Sequence, residues 1–177
     1  MTKQILTYLA VLVFLGQLTS PLQAQELPAD SLLALADELT DKGVTLYQEG
    51  RYTEAEPLVL RSLAIKEAAL GPDHPGVAIS LNNLGVLYSD MGRDAEVEPL
   101  YLRALAILEA AFGRDDPDVA FALNNLASLY SDLGRNVEAG RLVNRAVSIM
   151  DNTPGRPFWR VYAYRTRSFL SWQSGDR

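Results

Sequence analysis

The side chains best suited to chemistry in this 177-residue chain are two adjacent asparagine pairs, Asn82-Asn83 and Asn124-Asn125. Asparagine is a mediocre helix former because its amide competes for backbone groups, so two pairs in helical sequence need a reason. A carboxamide both donates and accepts, and can therefore pair with the C=O and N–H of an extended peptide. A row of such amides would hold a backbone with little regard to its side chains. The competing role is internal, with one amide of each pair bonding to a neighbouring helix and fixing its stacking. Bond-making chemistry has much weaker support. His74 is the only histidine and sits beside Asp73 in a Gly- and Pro-rich connector, where a turn or cap role outweighs metal binding or catalysis. There is no cysteine, which removes thiol catalysis, thiolate metal sites and disulfides. No Ser–His–Asp set, glycine-rich phosphate loop or helical His-Glu-x-x-His is present. Asp115-Asp116 falls in a turn, where capping and solvation account for it. The expectation is a non-enzymatic chain with no cofactor and no metal.

The elements that position these asparagines repeat every 42 residues. Gly50-Arg51 recurs as Gly92-Arg93 and Gly134-Arg135, and Pro75 recurs as Pro117. The segment 80–90 returns almost unchanged as 122–132. Such self-similarity marks a solenoid, in which each unit stacks only on its neighbours. Each unit reads as two helices. Pro75 or a neighbour opens the first helix of the second unit, because proline suits the first helical position. Leu81, Leu84, Gly85 and Tyr88 form one face at helical spacing, and Gly92 stops the helix. A second helix runs from about Ala95 to Phe112 and ends at Gly113. In the first unit, Thr53-Glu54-Ala55-Glu56 has the form of a capping box. Pro57 and Pro99 keep the starts of the second helices no earlier than about residues 53 and 95. Asp30 or Ser31 is the expected cap of the helix that ends near Glu49. Small residues recur at three equivalent places: Gly43/Gly85/Ala127, Ala55/Val97/Ala139 and Ser62/Ala104/Ala146. Larger groups there would push helices apart whose axes lie only about 8–10 Å from each other.

Leu84-Gly85-x-x-Tyr88, with the small-x-x-x-large elements Ala55…Val59, Val97…Tyr101 and Ala139…Val143, resembles the tetratricopeptide repeat. The 42-residue period and phrases such as Leu-Asn-Asn-Leu and Glu-Ala-Glu-Pro-Leu are similar to the form found in kinesin light chains and many bacterial proteins. The resemblance covers about residues 37–153 and implies an all-α, right-handed superhelical solenoid of antiparallel helix pairs. Units of about 37–77, 78–119 and 120–160 are expected, then a partial fourth unit or capping helix at 161–177. Departures include Thr40-Asp41 where the other units carry Asn-Asn, Leu46 in place of Tyr, and Gly140-Arg141 in place of Glu-Pro.

The resemblance implies a concave groove lined by the first helices. Turned away from the Leu/Gly/Tyr stripe, the groove residues expected are Asn82, Asn83, Val86 and Asp90 in the second unit. In the third they are Phe121, Asn124, Asn125, Ser128 and Asp132, and Ile79 joins them at the start of the second. The function implied is a protein–protein interaction scaffold that holds an extended peptide or partner subunit. Relatives that grip a C-terminal carboxylate carry Lys and Arg on this face, whereas this chain carries Asp37, Asp41, Asp90 and Asp132. A neutral or basic partner segment is therefore expected.

Charge and the chain ends complete the expectations. Residues 25–155 hold 10 Lys/Arg against 21 Asp/Glu, which argues against nucleic acid as a partner. Residues 156–177 hold five Arg, one Asp and six aromatics, and suit self-association into a homo-oligomer. Residues 1–24 have the basic start, apolar run and small final residue of a signal peptide. Export to the periplasm or medium follows, with no integral membrane segment after cleavage, since the run is shorter than the about 20 residues needed to span. Residues 25–30 read as a disordered linker. Two alternatives stay open: a structural module that self-associates through its C-terminal half repeat, and a shortened repeat region of a larger enzyme.

Overall fold

A computed structural model describes residues 28–153. The expected signal peptide, residues 25–27 of the expected linker and the fourth half repeat lie outside the described residues, while Ala29 and Asp30, expected in that disordered linker, are helical. Within them the chain is all-α, with helices α1 (Ala29–Gln48), α2 (Tyr52–Leu70), α3 (Pro75–Asp90), α4 (Asp94–Phe112), α5 (Pro117–Asp132) and α6 (Asn136–Asp151). Three hairpins, α1–α2, α3–α4 and α5–α6, stack through α2 against α3 and α4 against α5, and α3 also meets α5. This is the expected all-α solenoid of helix pairs. None of these helices is long and apolar enough to cross a membrane.

Local signals set most boundaries. Gly50, Gly92 and Gly134 adopt φ of +70° to +74°, a left-handed conformation that glycine reaches without a Cβ penalty. The next amides then turn back, so that Arg51, Arg93 and Arg135 N–H donate to the carbonyls of Leu46, Tyr88 and Tyr130 at 2.7–2.9 Å. Pro75 and Pro117 open α3 and α5 as expected. His74 caps α3: its Nδ1 accepts from Gly76 N–H at 3.0 Å. Asp116, 42 residues on, accepts from Asp118 N–H at 2.8 Å in the same way.

Three boundary expectations are corrected. Helix α1 begins at Ala29 with Pro28 at its cap, and neither Asp30 nor Ser31 caps it. The capping box at Thr53–Glu56 does not form, because Thr53 already lies inside α2 and Arg51 holds the cap position. Helices α2 and α4 open at Tyr52 and Asp94, so Pro57 and Pro99 sit sixth, within the second turn. Each removes one helical donor without ending its helix.

The small positions sit where the helices of a hairpin cross. Ala55, Val97, Ala139, Ala104 and Ala146 are fully buried, and Ser62 nearly so. A Cβ on Gly85 would lie 2.3 Å from Tyr101 Cε1, and one on Gly43 would lie 2.9 Å from Val59 Cγ2. The third unit carries Ala127 at this place, in a hairpin whose second helix has Val143 where α4 has Tyr101. Small side chains on the first helix thus face larger ones on the second.

Candidate peptide-binding groove

The first helices are buried on two sides, and this decides which asparagines face outward. One side of α3 packs on α4 of its own hairpin, and another meets α2 and α5 of the adjoining units. Asn82 and Asn124 fall on the second buried side, at 4% and 2% exposure, and Asn125 is 7% exposed. The expected outward placement of these three is corrected: for Asn82 and Asn124, distance from the Leu/Gly/Tyr stripe does not mean solvent, because the neighbouring unit covers that flank. Asn83 is half-buried, as are Val86, Phe121 and Ser128, while Asp90 and Asp132 are exposed.

The buried amides are poorly satisfied. Asn82 Oδ1, both amide atoms of Asn124, and Asn125 Nδ2 have no hydrogen-bond partner among the described residues. The first unit shows what a satisfied version looks like. Thr40 occupies the equivalent place, and its Oγ1 lies 2.8 Å from Ser62 Oγ. It also donates to Ala36 C=O at 2.9 Å. In the later units Ser62 is replaced by Ala104 and Ala146, so the asparagines lose that partner. An unsatisfied buried polar group costs about 1–3 kcal/mol.

Two hollows open beside Asn83. One is lined by Gly43, Val44, Tyr47, Gln48, Val59, Asn83, Val86 and Leu87, between α1 and α3. The other is lined by Pro75, Ile79, Asn82, Asn83, Leu108, Phe112, Pro117, Asp118 and Phe121, where α3 and α5 begin and α4 ends. Asn83 borders both, so one carboxamide stands between two largely apolar depressions. Ile79 and Phe112 are 58% and 48% exposed, large apolar groups left at the mouth of the second hollow. Phe112 was missed by the sequence reading, although an aromatic residue placed just before a helix-ending glycine marks it.

Carboxylates dominate the charge. Tyr47 Oη donates to Asp90 Oδ2 across the first joint. Although Asp132 as a whole is exposed, partial desolvation of its carboxyl, and then the nearby Asp94 carboxylate, raise that carboxyl above the usual range for aspartate. Every glutamate among the described residues takes part in an ion pair, with Lys42 or one of six arginines, and Lys66 pairs with Asp37. The negative surplus is therefore aspartate.

A second repeated constellation lies at the unit joints, and the recurring Gly-Arg was its signal. Glu56 Oε1 accepts from Tyr88 Oη at 3.0 Å and from Arg93 Nη1 at 2.6 Å. Glu98 Oε1 accepts likewise from Tyr130 Oη at 2.8 Å and from Arg135 Nη1 at 2.9 Å. The guanidinium of each arginine lies 3.7–3.8 Å from the centroid of its tyrosine ring, and its other edge forks onto Glu96 or Glu138. The Tyr130 hydroxyl, and then Arg135, hold the Glu98 carboxyl below its ordinary range. The first unit has Leu46 in place of the tyrosine, and the third has Gly140 in place of the glutamate.

The geometry agrees with comparisons to known proteins. The family model for the tetratricopeptide repeat matches residues 33–110 and 90–152. Among solved structures, a candidate kinesin light chain of Podosopora anserina with nearly identical TPR-like repeats superposes with a TM-score of 0.72 at 22% identity, over 81% of this chain and 68% of that one. BtubC (BKLC) of P. vanneervenii gives 0.74 at 22% identity, over 80% and 57%. The Sgt2 TPR domain of Aspergillus fumigatus gives 0.59 at 18% identity, over 80% of each chain. A nucleotide-binding leucine-rich repeat (NLR)-like protein of Hyaloscypha variabilis is 41% identical over 58 residues, which are 33% of this chain and 6% of that protein. The chain thus spans a small fraction of that relative's length.

Proposed function

The chain belongs to the tetratricopeptide repeat family, whose fold is a protein-interaction scaffold, and from that premise we propose that it is a non-catalytic module that holds an extended peptide or partner subunit in its concave groove. The observation that carries this reading is Asn83, a half-buried carboxamide bordering both hollows of the groove. Its amide would pair with a ligand backbone, while Val86 and Phe121 supply apolar contact beside it. Asp90 and Asp132 favour a neutral or basic segment over an acidic one. The resemblance of residues 1–24 to a signal peptide supports an exported location.

The test is crosslinking capture with the full chain and the Asn83→Ala variant, with the captured proteins compared by mass spectrometry. Loss of the crosslinked partners at unchanged helical content is expected. An identical set of partners from both proteins removes the basis of the groove assignment.

The charge contrast between the acidic body and the five arginines of residues 156–177 favours a second reading, self-association through that segment. Light scattering of the chain with and without residues 156–177 checks it, and a monomer in both cases sinks it.

A further inference from the structure

The exposed sides of α2 and α4 carry the same apolar residues at the same places. Pro57, Leu60 and Ala64 of α2 recur 42 residues on as Pro99, Leu102 and Ala106 of α4, and all six are exposed. Their spacing of three and four residues sets each trio along one line of its helix. In α6 the equivalent positions are Arg141, Asn144 and Ser148, also exposed. The stacking therefore accepts polar side chains here, and the apolar choice in two adjoining units is not required by the fold. A single exposed leucine needs no explanation, but Leu60 and Leu102, at 40% and 44% exposure, form a repeated pair.

Charge selects what can cover this face. Residues 25–155 hold 10 Lys/Arg against 21 Asp/Glu, so two copies of the chain repel one another on most approaches. On α2 and α4 every glutamate is ion-paired. Helix α2 holds no aspartate, and α4 holds only Asp94, whose carboxylate acts on Asp132 of α5. Two such faces can meet without opposing unpaired glutamates. Arg61, exposed beside Leu60, adds an attraction. Its equivalents Arg103 and Arg145 grip Glu67 and Glu109 of the preceding unit, whereas Arg61 makes no ion pair among the described residues. Its guanidinium is left to meet the acidic body of a second copy.

We propose that the α2 and α4 faces together form a self-association surface, on which a second copy of this chain docks with the same face about a two-fold axis. This surface is separate from the groove and from residues 156–177, and it depends on neither reading. The apolar part spans about two turns of each helix, small beside the about 800 Å² a side of a standard interface. The dimer is accordingly weak, with a Kd on the order of micromolar or above.

The chain has no cysteine, so Leu60→Cys/Leu102→Cys carries its only two thiols. A two-fold axis lying in the face brings each thiol opposite one on the other copy. The full-length variant is treated with a short thiol–thiol crosslinker across a concentration series, beside Asn144→Cys/Ser148→Cys as the third-unit control. A covalent dimer is expected from the first at concentrations where the control stays monomeric. Equal crosslinking of the two, or none in either up to the solubility limit, overturns the proposal. Light scattering then compares the full chain with Leu60→Lys/Leu102→Lys. The lysines reduce the net negative charge and its general repulsion while removing the apolar contact. Dimer affinity should fall at least about tenfold, with helical content and Tm unchanged because both positions are exposed. Association that is unchanged or tighter overturns the proposal. Excess synthetic 156–177 peptide should leave the crosslinked dimer intact. Its displacement by that peptide assigns self-association to the C-terminal segment and overturns this face. Loss of a different crosslinked protein from the lysine variant, with no dimer at any concentration, gives the face to another partner and also overturns it. None of these outcomes bears on the groove.

Discussion

A methyl group added at Gly85 would meet Tyr101 at 2.3 Å, whereas one added at Gly140 meets nothing within 4 Å. Both glycines are helical, so alanine would bring the same gain in helix propensity, about 1 kcal/mol. At Gly140 that gain stands alone, and Gly140→Ala should raise stability in urea unfolding. At Gly85 overpacking of about 1–3 kcal/mol opposes it, and Gly85→Ala should destabilise. Pairing it with Tyr101→Val recreates the Ala127–Val143 combination of the third unit. The double variant should be more stable than the sum of the single effects predicts, and strict additivity would mean the two sites do not touch in solution. A second residue-scale prediction concerns Asp132. Its carboxyl is raised in the folded protein, so its contribution to stability is present at low pH and lost as pH rises through the folded value. Asp132→Asn should therefore raise Tm near neutral pH and make little difference in acid, where both side chains are neutral. Of the proposed groove residues, Asn83 was legible from helical spacing alone. Asn82 was not, because its burial depends on a neighbouring unit that spacing within one helix does not describe.

At the scale of the element, α3 and α5 begin in the same way with different chemistry. An imidazole caps one and a carboxylate caps the other, through Gly76 and Asp118 amides. A carboxylate is among the better caps and also meets the positive end of the helix dipole. His74→Asp should match or exceed the native stability, while His74→Ala should lose about 0.5–2 kcal/mol; chemical denaturation of the three proteins checks the order. Equal stability of the alanine and aspartate variants would deny the cap. The helices themselves were readable from Pro75, Pro117 and the recurring glycines, since these act through their own backbone. The caps of α1 and α2 were misread because a Ser, Thr or Asp in the right place makes a cap only if the chain turns there. At α2 the turn is set by Gly50, and Arg51 follows it directly.

Across the whole molecule, units are tied at two joints by Glu56 and Glu98, each receiving a tyrosine and an arginine of the next unit. Solenoid stability is a sum of unit and interface terms, so loss of a joint should weaken coupling between hairpins. Glu98→Gln should lower stability near neutral pH by about 1–2 kcal/mol, allowing for a pair that is partly exposed. The Glu98 carboxyl is held low in the folded state, so its contribution is present above the unfolded value and lost as pH falls through the folded one. Thermal melts of the two proteins should therefore converge in acid; a constant gap at every pH would mean the joint is not held by the ionised carboxylate. The sequence by itself determined the period, the helix pairs and the close-packed positions, because these follow from backbone preference and side-chain size repeated at 42 residues. Only the tertiary structure decided that Asn83 alone of the four asparagines escapes full burial, which residues wall the hollows and what the recurring Gly-Arg does. Those depend on groups 32 to 37 residues apart in the chain, such as Glu56 with Tyr88 and Arg93, brought together by the angle at which one helix pair stacks on the next.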